Sequence, residues 1–323
     1  MSRNICIHLD FLSGQHKAKI RKTAEEAGFV PHFFLRSQFE EASACLQHCE
    51  VLYAHSPELL RTAPAGLQWY CSATAGVEPY CQNDGIFANP NCLLTSTNCY
   101  GVTIAEHVVM VVLMLLRQMP VYIETTMRHS WGEHLPVHSI YGGSFTLLGT
   151  GNIGANVARR LRGMGAARIT GVSRSGKPLP DFDAVYPFQS LDEVLKTSEF
   201  LIMSLPSTAE TIGLLNRERL ALLPEGAFVV NVGRGSAVDQ QALAHALNSG
   251  RLAGAALDVT EPEPLPQDHF LWEAKNLILT PHVSGNTSLE YTRDLNVDMF
   301  CANLQRYAQG RPLQNLVDRK RGY

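Results

Sequence analysis

Residues 147–161 read LLGTGNIGANVARRL, with glycines at 149, 151 and 154 between the apolar run FTLL and a segment of helical periodicity. A strand that turns through glycines into a helix offers the helix's first N–H groups with no side chain in the way. That arrangement lets a backbone approach a pyrophosphate. Gly149 permits the tight turn, Gly151 removes the Cβ that would block a phosphate, and Gly154 lets the helix close on the strand. Taken alone the G-x-G-x-x-G pattern is weak. Its place after a strand and before a helix makes it informative.

On both sides of this loop, short β-rich runs alternate with helical stretches, the pattern of parallel sheets with helical crossovers. The N-terminal third reads as strands at 4–9, 29–34 and 51–56 with helices at 15–27 and 38–49, a flavodoxin-like unit. From Ser144 a second series begins, with strands at 145–149, 168–173, 200–206, 227–233, 254–259 and 276–281 and helices at 154–165, 191–198 and 239–250. The fold class expected is α/β in two domains, a Rossmann-type doubly wound cofactor domain inserted in a smaller flavodoxin-like substrate domain. The expected division is 1–102 plus 290–323 for the substrate domain and 103–289 for the cofactor domain. A long amphipathic helix ended by Gly310 returns to the first domain.

Composition narrows the function. At 323 residues, with 45% apolar and 18% charged residues and a net charge of −3, the chain has enough material for two cores and no nucleic-acid footprint. The eight cysteines lack CxxC spacing and read as reduced thiols, implying a cytoplasmic protein. The start, MSRNICIHLDFLSG, is broken by His8 and Asp10 and reads as a first strand rather than an export signal. The nine residues VVMVVLMLL, 108–116, are too few for a membrane span and form a helix apolar on every face. Such a helix needs cover all round, from its own chain or from a second subunit.

About 20 residues past the glycine loop, an NAD-binding protein usually carries an acid for the ribose 2′-hydroxyl. This chain has VSRSGK there, with Ser173, Arg174 and Ser175, and no carboxylate between Arg168 and Pro180. An arginine fork and serine hydroxyls suit a 2′-phosphate, so NADP(H) is expected as the preferred cofactor, with NAD(H) possible.

In an open parallel sheet, reactants gather beyond the carboxyl ends of the strands. Three strands deliver polar residues there: Arg234 after FVVNVG, Glu263 in TEPEPLP after GAALDV, and His282 after LILTP. For hydride transfer to a 2-keto acid, an arginine can hold the carboxylate or polarise the keto oxygen. An imidazole can donate and recover a proton, and a carboxylate can fix its tautomer.

At these residues the chain resembles the D-isomer-specific 2-hydroxyacid dehydrogenases, along nearly its whole length. The matching stretches are NCYGVTIAEHVV, LLGTGNIG, SLPSTAETIGLLN, LLPEGAFVVNVGRGSAVD, GAALDVTEPEPLP and LTPHVSG, in family order. The resemblance implies that Arg234 binds substrate, His282 is the acid/base and Glu263 its partner. It implies that Ala75, Gly76 and Val77 offer N–H groups to the substrate carboxylate, and that Asp258 holds the nicotinamide amide. Asn152, Ile153, Leu205, Pro206, Thr211, Val232, Gly233, Ser284 and Gly285, on the same stretches, complete the implied cofactor set. It implies a homodimer built around the helix after AEH, with no nucleic acid or membrane as partner. The nearest resemblance is to NADPH-dependent glyoxylate and hydroxypyruvate reductases. With the sequence ending near Tyr323, the regulatory domain of many phosphoglycerate dehydrogenases is not expected, and Glu263 stands where formate dehydrogenases have glutamine. Alternative readings are a phosphoglycerate-type or other D-2-hydroxyacid dehydrogenase and a non-catalytic dinucleotide sensor resembling the corepressors.

Other residues read as structural. His107, His129, His134, His138 and His245 read as ordinary core or surface histidines, and Cys45 and Cys49, a helical turn apart, as core thiols. Tyr53, Ala54 and His55, after an N-terminal strand, could face the cleft, as could Trp131 from across a dimer, but structural roles are expected for all four. Glu261 competes with Glu263, and family spacing alone separates them.

Overall fold

The protein is described from a computed structural model over residues 3–81 and 85–322; residues 82–84, in the loop-rich stretch expected after Pro79, lie outside the described residues. The chain divides into one unit of residues 1–100 and 286–323 and another of 101–285.

The first unit opens with β1 (Arg3–His8), α1 (Gly14–Glu26), β2 (Phe29–Phe34), α2 (Phe39–Leu46), β3 (Val51–Ala54), α3 (Pro57–Arg61), β4 (Trp69–Ser72), α4 (Glu78–Cys81) and β5 (Leu93–Thr95). The five strands run parallel in the order β2-β1-β3-β4-β5. Their residues are apolar on both faces, as a sheet covered on both sides requires. Ile5, Ile7, Val51, Tyr53 and Trp69 face one core, and Cys6, Leu52, Ala54 and Tyr70 face the other with Ala42 and Leu46 of α2.

The second unit begins with α5 (Gly101–Leu116) and α6 (Met119–Met127). Next come β6 (Ser144–Leu148), α7 (Asn152–Gly163), β7 (Arg168–Ser173), β8 (Ala184–Pro187), α8 (Leu191–Leu195), β9 (Phe200–Met203), α9 (Arg217–Leu222), β10 (Ala227–Asn231), α10 (Gln240–Asn248), β11 (Leu252–Leu257) and β12 (Leu277–Leu279). The parallel sheet has the order β12-β11-β10-β9-β6-β7-β8, so the strand order reverses between β6 and β9. In sheets of this kind ligands collect at the carboxyl ends beside that switch point. Gly149 directly follows β6.

The chain then returns to the first unit as α11 (Glu290–Ala308), ended by Gly310 at φ +63°. Phe300 of α11 stacks on Tyr53 with ring centroids 4.1 Å apart, and Asn296 accepts from the Tyr53 hydroxyl at 2.8 Å. Tyr53 is thus a buried packing residue, as its sequence position suggests.

The apolar run 108–116 lies within α5, as expected. It stops at Leu116, Gln118 takes φ +56°, and α6 sets off at 72° to α5. Ile104, Ala105, Val108, Val111, Val112 and Leu115 are buried, but Met110 is 45% exposed. The chain therefore covers one face of α5 and leaves a groove lined by Met110, Leu113, Met114, Met119, Tyr122 and Val137, among others. Trp131, read as a packing residue, is 99% exposed and packs on nothing in its own chain. Among the described residues no single helix is long and apolar enough to cross a membrane.

Candidate active site

The glycine loop has the geometry its spacing demands. Gly149 sits at φ +97°, a backbone conformation strained for other residues. A Cβ at Gly154 would lie 2.1 Å from the Gly149 carbonyl oxygen, so only glycine lets α7 start this close to β6. A Cβ at Gly151 would meet nothing within 4 Å; the space before the helix is open. Gly151 caps α7 without a side chain, leaving the N–H groups of Asn152, Ile153 and Gly154 toward that space. The Asn152 side chain packs against Gly101, where a Cβ would fall 1.9 Å from its Oδ1. A dinucleotide pyrophosphate fits these residues.

At the carboxyl end of β7, the Ser173 hydroxyl accepts from the Gly176 amide at 3.2 Å and shapes the turn that presents Arg174 and Ser175 as exposed residues. The next acids along the chain are engaged by α7: Asp181 by Arg159 at 3.4 Å and Asp183 by Arg162 at 2.6 Å. Asp183 also accepts from the Ile169 amide, which with Arg162 holds its carboxyl below the ordinary range. Across the switch point, Gly233 presses on Leu205, where a Cβ would fall 2.6 Å from its backbone. The Thr211 hydroxyl donates to the Pro206 carbonyl at 2.6 Å, fixing the loop after β9. Val232 is buried beside it.

Three loops converge at the carboxyl ends of β10, β11 and β12. Buried Asn231, at the end of β10, accepts from the Gly233 amide at 3.0 Å and donates to the Arg234 carbonyl at 2.8 Å, setting the backbone that carries half-buried Arg234. Its Nη1 donates to the Gly233 carbonyl at 2.7 Å. Gly235 then packs against the loop after β11 so tightly that a Cβ would sit 2.1 Å from the Thr260 carbonyl carbon. In that second loop Glu263 accepts from the Thr260 amide at 3.0 Å through Oε1 and meets His282 Nδ1 at 2.8 Å through Oε2. Glu261 instead pairs its backbone with Gln240, so the structure separates two glutamates that chemistry alone left open.

His282 occupies the left-handed region at φ +52°, unusual for a side chain of this size. Its amide donates to the Asp258 carbonyl at 2.8 Å. The Asp258 carboxylate accepts from Thr280 Oγ1 at 2.6 Å, the Val283 amide at 2.9 Å and the Ser284 amide at 3.0 Å. Burial works to raise the Asp258 pKa, but these hydrogen bonds outweigh it and the carboxyl titrates below its ordinary value. His107 lies 4.0 Å from Asp258 and 3.4 Å from Thr280; burial lowers its pKa despite that carboxylate. A cleft of about 570 Å³ is lined by Asp258, Thr260, Glu263, Trp272, Thr280 and His282, among others; Arg234 does not line it. Gly285 closes this unit, and Ala75, Gly76 and Val77 follow β4 in the other.

Asn231, Gly235 and the bracing role of Asp258 were not foreseen. Asn231 had a signal: a lone amide ending the apolar run AFVV, where a buried polar group needs assigned partners. Among the described residues no group of His, Cys, Asp or Glu is arranged to hold a metal ion.

Residues 109–284 match the family described as "D-isomer specific 2-hydroxyacid dehydrogenase, NAD binding domain". Glyoxylate/hydroxypyruvate reductase A of Salmonella newport is 34% identical over 223 residues, 69% of this chain and 70% of that protein. Two crystal structures align along nearly the full length. One is a D-isomer specific 2-hydroxyacid dehydrogenase from Xanthobacter autotrophicus in complex with NADPH and MES, with TM-score 0.83, 29% identity and 100% of both chains covered. The other is an NADPH-dependent glyoxylate/hydroxypyruvate reductase from Sinorhizobium meliloti in complex with NADP and sulfate, with TM-score 0.82, 26% identity, and 99% of this chain and 100% of that one covered. The chain belongs to the D-isomer-specific 2-hydroxyacid dehydrogenase family. It is an oxidoreductase for 2-hydroxy acids and their keto forms with an α/β Rossmann fold.

Proposed function

We propose that the protein reduces a small 2-keto acid of the glyoxylate or hydroxypyruvate kind to the D-2-hydroxy acid, preferring NADPH and accepting NADH. The observation that carries this reading is the 2.8 Å contact between Glu263 and His282 Nδ1 at the carboxyl edge of a sheet whose glycine loop fits a dinucleotide. When bound, the nicotinamide supplies the hydride.

Glu263 accepts a proton-bearing Nδ1, which leaves Nε2 as the nitrogen that gives a proton to the keto oxygen and recovers it from the alcohol. Arg234 holds the substrate carboxylate or polarises the keto group, and the N–H groups of Ala75, Gly76 and Val77 add to the carboxylate's binding. Gly149, Gly151, Asn152, Ile153 and Gly154 take the pyrophosphate, and Ser173, Arg174 and Ser175 the 2′-phosphate. Leu205, Pro206, Thr211, Val232, Gly233, Ser284 and Gly285 line the remainder, with Asp258 toward the nicotinamide amide. The carboxylate's bracing hydrogen bonds give Asp258 a second role, holding the His282 turn.

Solved relatives bound to NADPH and NADP, and the Salmonella reductase's named substrates, support both the cofactor preference and the keto-acid class. The uncovered face of α5 and exposed Trp131 support a homodimer, which light scattering tests. Eight unpaired cysteines support a cytoplasmic site of action. The deciding experiment is NADPH oxidation with glyoxylate, hydroxypyruvate, pyruvate and bulkier keto acids. Turnover concentrated on the first two supports the reading, and silence across the panel overturns it in favour of a dinucleotide sensor.

A further inference from the structure

Three of the eight cysteines meet beneath the end of α2. Cys45 Sγ lies 3.7 Å from Cys49 Sγ, and Cys6, at the centre of β1, donates its thiol to the Ala42 carbonyl of the same helix at 3.7 Å. Cys6 is fully buried and Cys49 nearly so, whereas Cys45 is half-buried and reachable from solvent. The mechanism proposed above uses none of them.

We propose that Cys45 and Cys49 form a thiol-oxidation site, in which a peroxide oxidises Cys45 and Cys49 closes on it as a disulfide. Geometry selects the pair. A disulfide holds its sulfurs about 2.05 Å apart, so the 3.7 Å gap must shorten by less than 2 Å. Cys49 lies beyond the last residue of α2, in a turn where the His48 and Cys49 amides fold back on the Cys45 and Leu46 carbonyls. It can therefore move without breaking the body of the helix. Cys6 cannot, because its strand pairs with neighbours on both sides.

The environment divides the roles. The neighbouring Cys6 thiol, with Cys49 and the imidazoles of His32 and His48, outweighs burial and lowers the Cys45 thiol to about 6. The neighbouring Cys45 sulfur and burial push Cys6 up; burial and the same sulfur push Cys49 up, so both stay protonated. Cys45 is the nucleophile and Cys49 the resolving thiol. The Cys45 thiolate attacks a peroxide oxygen; the O–O bond breaks, water leaves after proton uptake, and the sulfur becomes a sulfenic acid. Cys49 then attacks that sulfur, the S–O bond breaks, and a second water leaves with the Cys49 proton. Two thiols are oxidised, and one peroxide is reduced.

The test treats the intact reduced protein with equimolar hydrogen peroxide, blocks remaining thiols with iodoacetamide and digests with trypsin. Both cysteines fall on the peptide Ser37–Arg61 and Cys6 on Asn4–Lys17. The expected product is Ser37–Arg61 without alkyl groups and lighter by two hydrogens. In Cys49→Ser, Cys45 should instead be trapped by dimedone as the sulfenic acid, and Cys45→Ser should abolish the disulfide. Before oxidation, iodoacetamide should label Cys45 at neutral pH about tenfold or more faster than Cys81, the other half-buried thiol, which burial pushes up to about 11. Recovery of Ser37–Arg61 with both cysteines alkylated after peroxide, a cross-link to Asn4–Lys17, or equal labelling of Cys45 and Cys81 would each overturn the assignment.

Discussion

Glu263 grips His282 Nδ1 at 2.8 Å with one carboxylate oxygen while the other accepts from the Thr260 amide at 3.0 Å, so the imidazole is oriented by a group itself fixed to the backbone. Removing the imidazole in His282→Ala should lower kcat/KM by about 10²- to 10⁴-fold, the usual yield of acid–base catalysis, with cofactor affinity retained. Glu263→Gln keeps the volume but loses the charge and should lower kcat/KM by a smaller factor. Wild-type keto-acid reduction should decline as pH rises, and hydroxy-acid oxidation should increase, because the two directions need opposite protonation states of the same nitrogen. Steady-state kinetics of both directions against pH check this. Full turnover in His282→Ala would remove that residue from the chemistry.

Arg174 follows β7 where an acid would repel a 2′-phosphate. A hydrogen bond to a charged group is worth roughly 1.5 to 3 kcal/mol, equivalent to about ten- to 150-fold. Arg174→Ala should therefore lower kcat/KM for NADPH by that factor and leave NADH nearly unchanged. Equal losses with both cofactors would show that this arginine does not read the phosphate.

Gly235 is a packing residue with a catalytic consequence. A methyl group there would lie 2.1 Å from the Thr260 carbonyl carbon and must displace that backbone, and with it the start of the loop that carries Glu263. Gly235→Ala should destabilise by about 1 to 3 kcal/mol, as overpacking does. It should also lower kcat more than it raises cofactor Kd, since the glycine loop lies on another strand. Unchanged kcat in a folded variant would mean the two loops are not mechanically joined.

Glu50 ties three elements of the first unit. Arg3 donates to both its oxygens at 2.9 and 2.7 Å, and the Tyr307 hydroxyl adds a third bond at 2.7 Å. The Arg3 hydrogen bonds lead in holding its carboxyl below the ordinary range. A depressed carboxyl stabilises the fold above the unfolded-state value, and that contribution fades as pH falls through the native one. The groups are partly exposed, which limits the effect to about 1 kcal/mol. Glu50→Gln should lower Tm by a few degrees, roughly, near neutral pH and flatten the acid side of the Tm–pH curve. Parallel curves for the two proteins would contradict this.

The α/β alternation was legible because strands buried on both faces are nearly continuous apolar runs, as at Phe200–Met203 and Ala227–Asn231. Short elements escaped it. α6, β8 and α9 are brief, and α6 exists because Gln118 enters the left-handed region, which no periodicity announces. That a carboxylate and an imidazole reach one edge was legible as residues placed after consecutive strands, but Glu263 was separated from Glu261 by family spacing alone. What held them was not, because Asn231 and Asp258 act through backbone amides, and such bonds leave no mark in residue spacing. Trp131, 99% exposed, shows the opposite limit, since an aromatic's place in the sequence does not say whether its neighbour belongs to its own chain or to another.

The stacking of Phe300 on Tyr53 and Trp69 bears on the order in which the protein matures during synthesis. The dehydrogenase sheet has all its strands once residue 279 has emerged from the ribosome. The N-terminal sheet, though translated first, keeps Tyr53 and Trp69 without their cover until α11 is made. A nascent chain is therefore expected to bind nucleotide before its amino-terminal third becomes resistant to protease.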